Sequence, residues 1–190
     1  MIDLKKHRLP EAVEVGGSLY PVHTSFKYWL RFLELIADKN TPPGKFDFMY
    51  STDKKPESRL RGLIALVQFC NPPRELPRTK SDSENVLDYS IDADFIFSAF
   101  LEQYGIDLLD SDMHWHKFQA LLFGLHGTKL NEIIGYRSYE NTSGKRDAYT
   151  RQMEKLRAAW DLPQDSGDDE DLRAFEAKLY GSNSSPEKGY

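Results

Sequence analysis

The stretch DYSIDADFIFSAFLEQYGIDLLDSDMHWHKFQALLFGL, residues 88–125, decides the fold of this chain. Its apolar residues recur every three or four positions on both sides of Gly105, which is the period of a helix. Ser90 can cap the first helix, and Gly105 can end it in a left-handed conformation. Asp110 or Ser111 can cap the second. The stretch therefore predicts two consecutive amphipathic helices whose apolar side is rich in aromatic rings.

A β-hairpin is predicted before these helices, over residues 11–24. Valines alternate with polar residues up to Gly16-Gly17, a pair that suits a two-residue turn, and apolar residues continue on the return strand. Pro21 cannot donate a hydrogen bond to a neighbouring strand, so the second strand belongs at an edge. Because a lone hairpin is barely stable in water, it must pack on another part of the chain.

The helix that follows the hairpin is predicted over Phe26–Lys39, with Thr24 or Ser25 as its cap. Its charged residues form one narrow stripe, and the rest of its circumference is apolar. Such a helix is either central to the core or partly covered by another chain, and both interpretations stay open. The second interpretation predicts a partner-binding surface on this helix. Its residues are Tyr28, Trp29, Phe32 and Leu35.

Periodic apolar spacing and turn residues divide the rest of the chain. Further helices are predicted at Ser58–Cys70, Lys129–Ser138 and Lys145–Trp160, and residues 40–57 read as a loop. The fold class is therefore mainly α: a helical bundle with an N-terminal β-hairpin and a flexible acidic C-terminal tail. The predicted segments are the hairpin with two helices (1–70), a linker or long loop (71–87), a central helical module (88–162) and the tail (163–190), which we expect to be disordered.

Composition and charge exclude several classes of protein. The chain has a formal net charge of −5 at pH 7 and a mean hydropathy of −0.61. Its sequence shows no apolar run long enough for a membrane span and no secretory signal, so a cytoplasmic location is expected. The acidic balance argues against a dedicated DNA-binding protein. Basic residues within 59–80 keep open a small nucleic-acid-binding regulator, and the single cysteine, Cys70, reads as a buried apolar residue.

Residues suited to catalysis or metal binding do not form a recognisable motif. His114 and His116 are the obvious candidates for a metal, but residues two apart on a helix point in nearly opposite directions. We therefore expect His114 at the edge of the core and His116 in solvent. The aspartates of residues 88–112 lack the spacing of a calcium loop and suit helix capping. We expect no enzyme activity, no catalytic residue, no cofactor and no metal site.

Residues 92–125 resemble the phage gene-product-fifteen family of tailed phages. The similarity consists of F-x-x-x-YGIDL, then HW-x-x-F-x-ALL-x-GL, and IIGYR at residues 133–137. The pattern LP-x-x-V-x-V-x-G-x-x-Y-x-V-x-T-x-F at Leu9–Phe26 is also similar to that family's hairpin and first helix. The resemblance covers most of residues 9–160, and the HW and YGIDL pieces together are its most specific part.

This resemblance implies a gene in the tail-morphogenesis region, near the gene of the tape-measure protein. Its implied role is that of a tail assembly chaperone, which holds the tape-measure protein and recruits tail-tube protein in the host cytoplasm. No catalytic residue carries over with the resemblance. A structural tail component that is retained in the virion is the alternative, and a homo-oligomer stays open.

Overall fold

The computed structural model describes residues 2–71, 86–142, 144 and 146–163. In chain order, its elements are β1 (Ala12–Val15), β2 (Ser18–Pro21), α1 (Phe26–Ala37), a 3-10 helix (Pro43–Met49), α2 (Arg59–Cys70), α3 (Ala93–Tyr104), α4 (Trp115–Gly124), α5 (Lys129–Arg137) and α6 (Ala148–Trp160). The predicted fold class, mainly α with an N-terminal hairpin, is confirmed. Most of the predicted linker and nearly all of the predicted tail lie outside the described residues. Within the described part of the chain, no helix is both long and apolar enough to cross a membrane.

The hairpin has the predicted two-residue turn. Gly16 and Gly17 adopt φ angles of 58° and 77°, a left-handed conformation that costs glycine little. The turn joins Val15 directly to its cross-strand partner Ser18 in an antiparallel pair. β1 packs against α2, and an isolated bridge pairs Val22 with Tyr50. The hairpin is therefore anchored on the helical part, as its small size requires.

Stacked aromatic rings join the two halves of the described chain in one hydrophobic core. The Phe118 ring of α4 lies 4.7 Å from Phe26 of α1 and 5.2 Å from Phe100 of α3, between ring centroids. The Trp29 ring stacks on Phe69 of α2 at 4.7 Å and faces Trp115 at 6.4 Å. The predicted N-terminal segment and the predicted central module thus share a core.

Side chains of α4 bind the carbonyl groups at the end of α2. The last carbonyls of a helix have no partner within the helix and need one elsewhere. Trp115 Nε1 donates to the Cys70 carbonyl at 2.8 Å, and Gln119 Nε2 donates to the same oxygen at 3.2 Å. His116 Nε2 lies 2.8 Å from the Phe69 carbonyl and donates to it. The helix ends at Cys70, as predicted from the Asn71-Pro72-Pro73 sequence.

A buried ion pair connects α3, α5 and α6. Arg137 Nη1 and Nη2 lie 2.6 and 2.9 Å from the two carboxylate oxygens of Asp92, and both side chains are buried. Arg137 also donates to the carbonyls of Trp160, at 2.7 Å, and Val86, at 3.1 Å. A bidentate pair whose remaining donors are used can compensate the cost of burying its charges. Arg137 therefore fixes where the three helices meet.

Three helix starts differ from the predicted ones. Helix α6 begins at Ala148 rather than at Lys145, with Asp147 as its N-cap. The N-cap of α3 is Asp92 rather than Ser90, and its side chain pairs with Arg137 instead of capping. The N-cap of α4 is His114 rather than Asp110 or Ser111.

The predicted loop of residues 40–57 contains the 3-10 helix, which buries Phe46 and Met49. Asp92 and Phe46 each contact a distant part of the chain, at Arg137 and Phe32 respectively.

Candidate protein-interaction surface

The structure places two of the predicted partner-binding residues in the core. Trp29 is 0% exposed and Phe32 is 1% exposed, so the prediction that they form a displayed surface is wrong. The reason is that α1 is covered from several sides: Trp29 contacts α2 and α4, and the Phe32 ring meets Phe46 of the 3-10 helix at 5.2 Å. The core interpretation of α1 therefore holds for these two residues.

Tyr28 and Leu35 lie in different settings. Leu35 is partly buried and packs against the core. Tyr28 is 39% exposed. The next residue, Trp29, points inward, and its Nε1 donates to the His23 carbonyl at 2.9 Å. Tyr28 is thus the residue of the predicted set that presents a large ring to solvent, and its role in partner binding stays a prediction.

Around Tyr28 the structure assembles an aromatic surface, made of His23, Tyr28, Arg31 and Phe48. The His23 and Tyr28 rings are stacked, with centroids 4.1 Å apart and planes 11° apart. The Phe48 ring follows at 6.4 Å from Tyr28, and the Arg31 guanidinium lies over Phe48 at 4.8 Å. Rings that stack in this way gain stability beyond their buried area, so the surface is held in shape before anything binds.

A shallow cleft of about 430 Å³ opens beside this surface. His23 and Phe48 form part of its wall, and the rest comes from the residues at and after the 3-10 helix. Its lining residues are His23, Asp47, Phe48, Tyr50, Ser51, Thr52, Asp53 and Lys55. The hydroxyl groups and charges of this lining have the polar character of an interface rim.

The charged groups of the cleft are mostly paired. Asp47 Oδ1 lies 3.0 Å from Arg59 Nε, and Asp47 Oδ2 lies 3.7 Å from Lys55 Nζ. Burial, with a smaller contribution from Asp47, raises the pKa of Tyr50 to about 12. The Tyr50 hydroxyl is therefore neutral at physiological pH.

Three of the four residues of the aromatic surface, His23, Arg31 and Phe48, were not predicted from the sequence. Arg31 was assigned to the charged stripe of α1, and Phe48 fell in a segment that was predicted to be a loop. His23 precedes α1 and closes the hairpin segment. The closely spaced aromatic residues Phe46 and Phe48 were the available signal, because a loop seldom carries two large rings without packing them.

His114 and His116 serve as structural hydrogen-bonding groups. His114 Nδ1 accepts from the His116 amide at 3.1 Å, and His114 Nε2 donates to the Pro10 carbonyl at 2.9 Å. His116 is 1% exposed, so the prediction that it lies in solvent is wrong. The argument from helical spacing failed because α4 begins at Trp115 and His114 precedes it. In the described ranges, no cluster of three His, Cys, Asp or Glu residues could hold a metal ion.

Several of the acidic residues are used by the local backbone. Asp88 Oδ1 accepts from the amides of Ser90 and Ile91, both at 2.8 Å, and Asp107 Oδ1 accepts from Leu109 at 2.8 Å. These are the local turns that aspartate side chains favour. Cys70 is buried, and burial raises the pKa of its thiol to about 12. The cysteine thus has the character of the apolar core residue that was predicted.

Comparison with known proteins adds one finding to this geometry. A family model described as "Bacteriophage Gp15 protein" matches residues 6–162. No curated protein and no solved structure gives a significant match. The match spans both the hairpin and the helices that carry the aromatic surface, and it confirms the resemblance noted in the sequence. The chain belongs to the Bacteriophage Gp15 protein family.

Proposed function

We propose that this phage protein is a non-enzymatic tail assembly chaperone that holds the tape-measure protein and recruits tail-tube subunits in the host cytoplasm. Its family membership supports a structural or morphogenetic role in a phage. The observation that carries the proposal from the structure is the aromatic surface at His23, Tyr28, Arg31 and Phe48. The proposed action is protein binding, with no cofactor and no bond-making step.

The aromatic surface has the properties of an interface centre. Tyr28 and Phe48 supply large, rigid rings at low entropic cost, and Arg31 supplies a cation that can pair with a client. Tyr, Phe and Arg are enriched in protein interfaces, where rings occupy the centre and charges the rim. A helical client such as a tape-measure segment can lay apolar side chains on such rings.

The test is co-purification of the full chain with tape-measure and tube proteins from the same phage. The substitution Tyr28→Ala should weaken retention of the client roughly tenfold, which is the effect of a modest interface hot spot. Tyr149→Ala on α6 is the matched control, because that tyrosine is 64% exposed and lies outside the aromatic surface. Undiminished retention by Tyr28→Ala, with folding of both variants verified by circular dichroism, contradicts the proposed site.

The alternative of a structural tail component makes a different prediction for the particle. A chaperone leaves the assembly once the tail is complete, so mass spectrometry of purified virions should lack peptides of this chain. Their presence in stoichiometric amounts with tail proteins would support the structural alternative. Salt-dependent retention on DNA, in contrast, would favour the nucleic-acid-binding regulator.

A further inference from the structure

A loop between α3 and α4 carries an exposed leucine among carboxylates. Leu109 is 74% exposed, and the loop of residues 107–112 that contains it also carries Asp107, Asp110 and Asp112. All three aspartates are exposed, and within the described part of the chain none of them belongs to an ion pair. We call residues 107–112 the acidic loop.

The acidic loop is held in one shape by its own contacts. Leu108 is buried and anchors the loop on the core. Asp107 Oδ1 accepts from the Leu109 amide at 2.8 Å, and the Leu109 carbonyl accepts from Lys27 Nζ at 2.7 Å. A loop whose backbone is already fixed presents its exposed side chain to a partner with little loss of entropy on binding.

The acidic loop and the aromatic surface lie side by side. Lys27, which binds the loop at Leu109, directly precedes Tyr28 on α1. Immediately after the loop, the Met113 carbonyl accepts from the Phe26 amide at 2.8 Å. Both the loop and the aromatic surface therefore border the first turn of α1, on one face of the molecule.

The two neighbouring features carry opposite charge. Arg31 lies over the Phe48 ring, where its charge stays available to a carboxylate. In the described residues Arg31 belongs to no ion pair, not even with Glu34 on the next turn of α1. The same asymmetry extends along the sequence. Residues 2–71 contain eleven Lys and Arg against eight Asp and Glu, whereas residues 86–142 contain three against nine.

We infer that two copies of this chain associate through this face, with the acidic loop of each copy on the aromatic surface of the other. In this dimer the Leu109 side chain of one copy lies on the rings of Tyr28 and Phe48 of the second copy. Asp110 of the first copy faces Arg31 of the second. A face that carries two complementary features side by side matches itself about a two-fold axis, so each contact is made twice.

The consequence of this dimer rests on the proposed function, because the acidic loop of the second copy occupies the surface that we assign to the client. The dimer keeps the exposed rings covered until a client of higher affinity displaces the second copy. Association of the two copies requires no client and can be tested without one.

Sedimentation equilibrium of the full chain measures the association. The apparent mass should rise with concentration from the 22.0 kDa of one chain toward twice that value and no further, because a two-fold contact closes on itself. A chain that stays monomeric at every concentration that its solubility allows overturns the inference. A mass that continues to grow past two copies overturns it as well.

Charge reversal tests which surfaces meet. Arg31→Glu and Asp110→Arg should each weaken the dimer roughly tenfold, because each replaces two attractive pairs by two repulsive ones. An equimolar mixture of the two variants should associate about as tightly as the wild type, since both contacts then join opposite charges. Arg151→Glu and Glu154→Arg make the same changes on α6 and should leave the dimer intact. Equal dissociation constants for all four variants, or a mixture no tighter than its components, overturns the inference.

The apolar part of the contact has its own test. Leu109→Ala should weaken the dimer roughly tenfold, because apolar area is lost from both contacts. Leu60→Ala shortens a leucine of α2 that is 54% exposed and should leave the dissociation constant unchanged. Circular dichroism verifies that both variants are folded. Equal dissociation constants for the two folded variants overturn the inference.

The result is separable from the test of the proposed function. Leu109→Ala and Asp110→Arg leave the aromatic surface intact, so they should separate the two copies while the client is still retained. Absence of the dimer, together with client retention that depends on Tyr28, overturns the dimer alone. Presence of the dimer, with client retention insensitive to Tyr28→Ala, supports the dimer and contradicts the client site.

Discussion

Trp29 and Phe32 define the core at the level of single residues. Both are buried, and their rings contact α2, α4 and the 3-10 helix. We expect Trp29→Ala and Phe32→Ala each to lower the free energy of unfolding by about 3–5 kcal/mol, through lost transfer energy and the cavity left behind. Urea denaturation followed by circular dichroism measures the change. A loss below about 1 kcal/mol would mean that these rings are not packed as described.

Gly62 illustrates a second constraint at this scale. A Cβ atom at Gly62 would lie 2.5 Å from the Tyr50 hydroxyl and 3.2 Å from Pro56 Cγ, whereas one at Gly135 of α5 would meet nothing within 4 Å. Alanine favours a helix over glycine by about 1 kcal/mol. Gly135→Ala should therefore stabilise the protein by up to about 1 kcal/mol, and Gly62→Ala should destabilise it. Thermal denaturation of the two variants compares them, and a stabilised Gly62→Ala would show that Tyr50 yields at little cost.

At the scale of elements, His114 connects the start of α4 to the hairpin segment. Burial lowers the pKa of the His114 imidazole below its usual value of 6.5, against opposing effects of the Pro10 carbonyl and Glu11. Above pH 6.5 both folded and unfolded chains hold a neutral ring. Below pH 6.5 the unfolded chain binds the proton before the folded chain does. The stability that the neutral His114 ring contributes is therefore lost as the pH falls.

The corresponding test compares the wild type with His114→Asn, because asparagine can cap a helix but does not titrate in this range. The stability difference between the two proteins should shrink or reverse between pH 7 and pH 5. Urea midpoints at each pH provide the measurement. A difference that stays constant across this range would show that His114 has the same pKa in the folded and unfolded chain.

The Asp92–Arg137 pair determines how α3, α5 and α6 meet. Asp92→Asn leaves the Arg137 charge buried without its counterion, and we expect a loss of about 3–5 kcal/mol in unfolding free energy. Glu132→Gln removes a carboxylate from an exposed ion pair with Lys129 and should change the free energy of unfolding very little, because solvent screens this pair. Chemical denaturation of both variants separates the cases. Similar small losses for the two would mean that water reaches Arg137.

For the whole molecule, one shared core predicts one unfolding transition. The rings of Trp29 and Trp115 face each other across the boundary between the predicted N-terminal and central segments. Tryptophan fluorescence and far-ultraviolet circular dichroism should therefore give coincident urea midpoints. Two separated midpoints would show that the segments unfold independently in spite of their contact.

Local pattern was sufficient to predict most elements, and long-range contacts explain what it missed. The hairpin turn, the end of α2 and the left-handed Gly105 depend on neighbouring residues, and each was predicted correctly. The burial of Trp29 depends on Phe69 and Trp115, which are far along the chain.

The same distinction holds for the candidate surface. Tyr28 was predicted from the excess of rings on α1, but its neighbours His23 and Phe48 come from other segments. The pairing of Asp92 with Arg137, 45 positions apart, likewise has no signature in the local spacing. Sequence periodicity identifies which residues are apolar on a helix, whereas the elements that cover them decide which side chains reach solvent.

The thiol of Cys70 can report local unfolding at the end of α2. Cys70 is the single cysteine of the sequence, it is fully buried, and its pKa of about 12 leaves almost no thiolate at neutral pH. Maleimide chemistry consumes the thiolate, so only molecules in which the last turn of α2 has come apart can be labelled. The labelling rate thus serves as a clock for that event. Because Cys70 is protected in the folded protein, a cysteine introduced at the surface can be labelled with a fluorophore while Cys70 stays unlabelled.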